Sequence, residues 1–170
     1  MTQPSISTDQ MQDLRPEHSL LPPRAVVVAT CLTSSATLGL LFGIGRRSGR
    51  PWQALNAAAF TLLRGQSDGV MDFTSDVTLA GVAVVLVMSA VAAVVTARLI
   101  SSRRTFHCAM AASGVALAGY LAHVHLVARS PGGLAALLAV GELRALYLTA
   151  AIALFVGMRY AFSSAEGSPT

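Results

Sequence analysis

The stretch Val77 to Ala97, VTLAGVAVVLVMSAVAAVVTA, carries no charge and no proline, and its only hydroxyls are Thr78, Ser89 and Thr96. Its 21 residues make roughly 31 Å of helix, about the thickness of a bilayer's hydrocarbon core. Asp76 closes the run at one end and Arg98 at the other. A helix on the surface of a soluble core keeps one polar face, and this run has none. It reads as a transmembrane helix. Only 12% of the chain is charged and its mean hydropathy is +0.61, against about 25% charge in ordinary soluble domains, so the rest of the sequence is read against the same bilayer.

Three further runs are long enough to cross. The first spans about Ala25 to Gly45 and is closed by RRSGR, residues 46–50. The third, about Phe106 to Ala128, is broken by Arg129-Ser130-Pro131-Gly132-Gly133, and the fourth covers about Leu143 to Phe162. Pro51 to Leu63 (PWQALNAAAFTLL) is too short to cross. Proline suits a first helical turn and Trp52 suits the headgroup level, so a helix lying in the interface or dipping partway in is expected. For residues 134–162 two readings compete: one long tilted helix with charges inside it, or a short half-helix over about 132–140, a bend at Gly141 and then the fourth span. The second is favoured, because Glu142 and Arg144 are costly at mid-bilayer and an interfacial position relieves both. The predicted class is an all-α, polytopic membrane protein with four transmembrane helices and one or two short interfacial half-helices. Its membrane domain covers residues 24–162, between a polar, proline-bearing tail (1–23) expected to be disordered and a loose end (163–170). The first apolar run is too long and starts too late for a signal-peptide h-region, and reads as an uncleaved signal anchor. The order span, short helix, span occurs twice, which fits either a parallel duplication of a two-span unit or chance in an alanine-rich chain.

All 12 basic residues are arginine, which reads as a GC-rich bacterial coding bias, and the formal charge is +4. Because the arginines sit at helix ends, where membrane proteins ordinarily place them, no nucleic-acid partner is expected. Arg46, Arg47, Arg50, Arg64, Arg129 and Arg144 fall on one face, and Arg15, Arg24, Arg98, Arg103, Arg104 and Arg159 on the other, six against six. The short second loop is purely basic and tips the expectation towards a bacterial inner membrane with both termini cytoplasmic. Cys31 and Cys108 have no metal or redox spacing and read as packing thiols.

If the spans alternate, one membrane face gathers Asn56, Asp72, Asp76, His123, His125, Arg129, Glu142 and Arg144. Ionisable groups of both signs near lipid depth are functional candidates in membranes. His123 and His125 are two residues apart, about 200° around a helix, so they cannot share a metal while the helix continues. Interface anchoring of the histidines and Tyr120, with Glu142 paired to Arg129 or Arg144, is the plain reading; a proton or ion relay and a metal site are the alternatives. The membrane histidines His107, His123 and His125 all lie on one span, which disfavours a bis-histidine haem site within one chain. There is no GxSxG and no phosphate-cradling glycine loop. No catalytic residue, metal or cofactor is assigned.

Ser35, Gly39 and Gly43 recur every fourth residue and line one helical face, as do Gly114, Ala118 and Ala122 on the third span. Such faces let backbones approach closely. The first is either a face for a second copy or, the favoured reading, packing inside the same bundle. Three function classes follow: a non-enzymatic accessory or scaffold subunit that self-associates, or sits beside a neighbouring membrane subunit, through small-residue faces; a small transporter or ion- or proton-conducting oligomer with the His123/Glu142/Asp76 face as its mouth; and a membrane-embedded redox or enzyme subunit. The first leads.

The PWxxL element (Pro51, Trp52, Leu55), the AAA centre that follows Asn56, the arginine-rich hairpin and the order of spans over residues 25–160 resemble small bacterial inner-membrane proteins of the YagU-like kind. The resemblance implies a four-helix membrane protein and assigns no activity and no functional residue.

Overall fold

The computed structural model describes residues 23–63, 70–100, 104–127 and 133–166. Its elements are α1 (Pro23–Arg47), α2 (Gln53–Ala58), α3 (Phe60–Leu63), α4 (Ser75–Leu99), α5 (Thr105–Ala122) continued by a π-helical turn (His123–Val127), α6 (Leu134–Leu137) and α7 (Val140–Glu166). Among the described residues there is no strand. Four helices are long and apolar enough to cross a membrane: α1, α4, α5 with the first residues of the π turn, and α7. The protein is an all-α, four-helix membrane protein.

Two clusters show that successive spans run antiparallel. At one end Ala25 and Ala29 of α1 meet Ala93 and Ala97 of α4, Cys108 and Ala112 of α5, and Leu154, Met158 and Phe162 of α7. At the other end Leu41 and Ile44 of α1 meet Leu55 of α2, Val85 of α4, Leu138, and Leu143 and Leu146 of α7. Within the bundle α1 packs most extensively on α7 and next on α4, while α5 packs on α7.

The inward positions of α4 are mostly small and the outward ones large. On α4 the buried positions are Val77, Thr78, Gly81, Val85, Ser89, Ala93, Thr96 and Ala97, whereas Leu79, Leu86, Val87, Met88, Val91, Val94 and Val95 face outward. Lipid is as apolar as leucine, so large side chains gain nothing by turning inward, and helices associate through close packing of small ones. Two of the spans, α1 and α7, cross closely. A Cβ on Gly157 would lie 2.6 Å from the Ala29 Cα.

Four local features set the membrane-face end of the bundle. The chain leaves α1 through Gly49, whose φ of 72° suits glycine, and the Arg50 N–H donates to the Gly45 carbonyl at 2.8 Å. The short α2 is a buried wedge: Ala54, Leu55, Asn56, Ala58 and Ala59 are all buried, and Gly81 of α4 lies directly against the Leu55 carbonyl. Trp52 is held between Phe42 (centroids 5.4 Å apart) and Phe73 (5.1 Å). The break before α7 differs from the expected bend at Gly141. It falls at Leu138, which is extended (ψ 136°), and Gly141 already belongs to the first turn of α7. The cause is a half capping box: Ala139 is the N-cap and its N–H donates to Glu142 Oε2, three residues on, at 3.0 Å.

Candidate functional site

The polar residues that the sequence gathers on one membrane face have separate local roles. Asn56 is fully buried. Its Nδ2 donates to the Val70 carbonyl at 3.1 Å and to the Asp72 carbonyl at 2.9 Å, and its Oδ1 accepts from the Thr78 hydroxyl at 2.7 Å. Thr78 Oγ1 in turn accepts from the Thr74 N–H at 3.3 Å. One side chain thus ties α2, the segment entering α4 and the first turn of α4 together, using both amide protons and the carbonyl oxygen. Asp72 takes part through its backbone, not its carboxylate.

Asp76 is exposed in the first turn of α4, where the helix dipole favours an acid, and Ser75 donates to its Oδ1 at 3.2 Å. Glu142 caps α7. Arg144 is exposed, and among the described residues no ion pair joins it to Glu142; Arg129, the other partner expected for Glu142, lies outside the described residues. His125 is exposed and His123 half-buried, as their angular separation requires. His123, Glu142 and Asp76 each belong to a different local structure: a π turn, a helix cap and a first turn. Among the described residues no three His, Cys, Asp or Glu side chains converge where they could hold a metal ion.

His123 has a partner that the sequence reading missed. Its Nδ1 lies 3.1 Å from the Tyr147 hydroxyl, and the rings stack edge-on at 6.0 Å. Tyr120 closes on the other side of Tyr147 at 5.8 Å, and Gly119 leaves the space that the Tyr147 ring fills. The sequence signal for Tyr147 is a phenol in the otherwise apolar run Leu146 to Met158. Among the described residues His123 Nε2 is buried with no hydrogen-bond partner, as are Thr33 Oγ1, Thr96 Oγ1 and His107 Nδ1. Other hydroxyls return to their own helix: Thr30 donates to Val26 O at 2.8 Å and Ser34 to Thr30 O at 2.7 Å.

The small-residue face on α1 departs from the expectation of packing within the bundle. Ser35 and Gly39 are exposed, and a Cβ added to Gly39 or Gly43 meets nothing within 4 Å. The helices that α1 contacts lie on its opposite side, along Ala25, Ala29 and Thr33. Cys31 is exposed too, so the open line runs Cys31, Ser35, Gly39, Gly43, about 18 Å of helix with a small side chain or none at every turn. On α5, Gly114 and Ala118 are also exposed, and Gly114 has open space around it. Many other outward positions on the spans carry large side chains, among them Leu79, Val87, Met88, Leu117, Leu148 and Ile152.

Comparison with protein-family models, with curated proteins and with solved structures finds no match to this chain.

Proposed function

We propose that this chain is a non-enzymatic accessory or scaffold subunit that self-associates through the open face of α1. The carrying observation is the unfilled space around Gly39 and Gly43. A glycine inside a helix costs about 0.5–1 kcal/mol relative to alanine, and nothing among the described residues packs against either position. A second helix brought close along Cys31, Ser35, Gly39 and Gly43 offsets it through backbone packing. Every copy inserts in the same direction, so a two-fold pair places equivalent residues of α1 at equal depth. In its finer placement this reading puts the protein in a bacterial inner membrane with both termini cytoplasmic, supported by the basic second loop and the arginine-only basic set.

The test is energy transfer between donor- and acceptor-labelled copies in liposomes, followed as lipid dilutes the protein. Native protein gives transfer that falls on dilution as a dimer equilibrium. Gly39→Leu and Gly43→Leu abolish it with no loss of helix content, and His123→Ala leaves it intact. Transfer that survives both leucine substitutions, or that never exceeds random proximity, overturns the proposal.

A further inference from the structure

The open face of α1 does not stop at Gly43. Arg46 is seven residues past Gly39 and three past Gly43, and Arg47 is four past Gly43, so both continue the same face by one more turn. Arg46 and Arg47 form the last turn of α1, and Arg50 follows the turn through Gly49 with its N–H bonded back to the Gly45 carbonyl, so the three arginines fall within five residues at the end of the helix. All three arginines are exposed, and among the described residues none of them makes an ion pair. Of the described acids at this end of the bundle, Asp76 is bonded by Ser75 and Glu142 by the Ala139 N–H, and Asp72 is exposed in the segment entering α4; none of them pairs with these arginines. Trp52, clamped between Phe42 and Phe73, is the residue type that sits at headgroup depth, and it follows Arg50 by two residues. The arginines therefore stand where phospholipid phosphates lie.

In the pair proposed above the consequence is sharp. Equal depth brings Arg46, Arg47 and Arg50 of one copy beside the same three of the other, six like charges around the two-fold axis at the point where the close-packed face ends. Such a cluster opposes association unless anions neutralise it; with both termini cytoplasmic these arginines face the outer leaflet, and arginines near any anionic surface are attracted to it. We infer that Arg46, Arg47 and Arg50 form a binding site for an anionic phospholipid headgroup and that its occupancy makes self-association through α1 dependent on anionic lipid. This rests on the self-association reading.

The experiment repeats the energy-transfer measurement in phosphatidylcholine vesicles, in phosphatidylcholine vesicles containing phosphatidylglycerol, and in phosphatidylcholine vesicles with inorganic phosphate added. The native association constant rises about tenfold or more with phosphatidylglycerol, as expected for several arginines at an anionic surface, and stays unchanged with inorganic phosphate. The triple variant Arg46→Gln, Arg47→Gln, Arg50→Gln associates equally in all three media, since both the repulsion and the site are gone. Arg98→Gln, on the other membrane face, keeps the native lipid response. Association of the native protein that is strong and equal in all three overturns the lipid site and leaves the self-association reading standing. No association in any medium overturns both. A response to inorganic phosphate equal to that of phosphatidylglycerol, or a lipid response retained by the triple variant, also overturns the lipid site.

Discussion

Removing the Asn56 side chain tests the hinge on which the membrane-face end of the bundle turns. Asn56→Ala deletes two donated bonds, to Val70 O and Asp72 O, and one accepted from Thr78. Each is worth about 1 kcal/mol net, somewhat less in membrane proteins, and the Thr78 hydroxyl, 2% exposed, loses its acceptor at a further cost of about 1–3 kcal/mol. The expected destabilisation is about 3–5 kcal/mol. Thr78→Val removes only the shared bond and the acceptor for the Thr74 N–H, and is expected to cost about 1–2 kcal/mol. The assay is reversible unfolding in mixed micelles followed by far-ultraviolet circular dichroism, with both single variants and the double variant. Because the two side chains touch, the double variant should fall short of additivity by about 0.5–1.5 kcal/mol. A loss under about 1 kcal/mol for Asn56→Ala, or strict additivity with Thr78→Val, refutes the account of Asn56 as the tie between α2 and α4.

Three further outcomes follow from the same geometry. Gly81→Ala and Gly157→Ala, whose new Cβ atoms run into the Leu55 carbonyl and the Ala29 Cα, should each destabilise by about 1–3 kcal/mol in that unfolding assay, whereas Gly39→Ala and Gly43→Ala should be neutral or stabilise the isolated chain by up to about 1 kcal/mol. Tyr147→Phe keeps the ring contacts with Tyr120 and His123 and removes the bond to His123 Nδ1, so a loss of about 0.5–1.5 kcal/mol is expected, measured as a shift in unfolding midpoint. In a background without native cysteines, Arg50→Cys and Thr105→Cys should react with a membrane-impermeant maleimide from opposite sides of the membrane, since α4 lies between them; labelling from one side contradicts the alternation of spans.

What the sequence discloses and what it hides divide along physical lines. Four apolar runs declare themselves because a bilayer tolerates charge only at their ends, and Asp76 and Arg98 mark such ends as plainly in the sequence as in the fold. The location of the break before α7 was not legible at Gly141, because it depends on Glu142 reaching back to the Ala139 N–H. Asn56 gave no clue to its role, since two of its partners are backbone carbonyls 14 and 16 residues away, and a carbonyl has no residue identity. Tyr147 was passed over because its partner sits on another helix. Glycine spacing misled most directly. The regularly spaced Gly39 and Gly43 stand in open space, while Gly81 and Gly157, which the sequence reading does not single out, are the positions where backbones touch. Periodicity tells which residues share a face, and only the fold tells what that face meets.

The account depends above all on α1 meeting a second α1 along the face that the single chain leaves empty. Cys31 lies on that face and is exposed, while Cys108 is buried, so oxidative crosslinking in native membranes reads the contact with no added label. The expected result is a disulfide-linked dimer that vanishes with Cys31→Ser, persists with Cys108→Ser and is lost with Gly39→Leu. A chain that stays monomeric under oxidation, or a Cys31-linked dimer indifferent to Gly39→Leu, contradicts it.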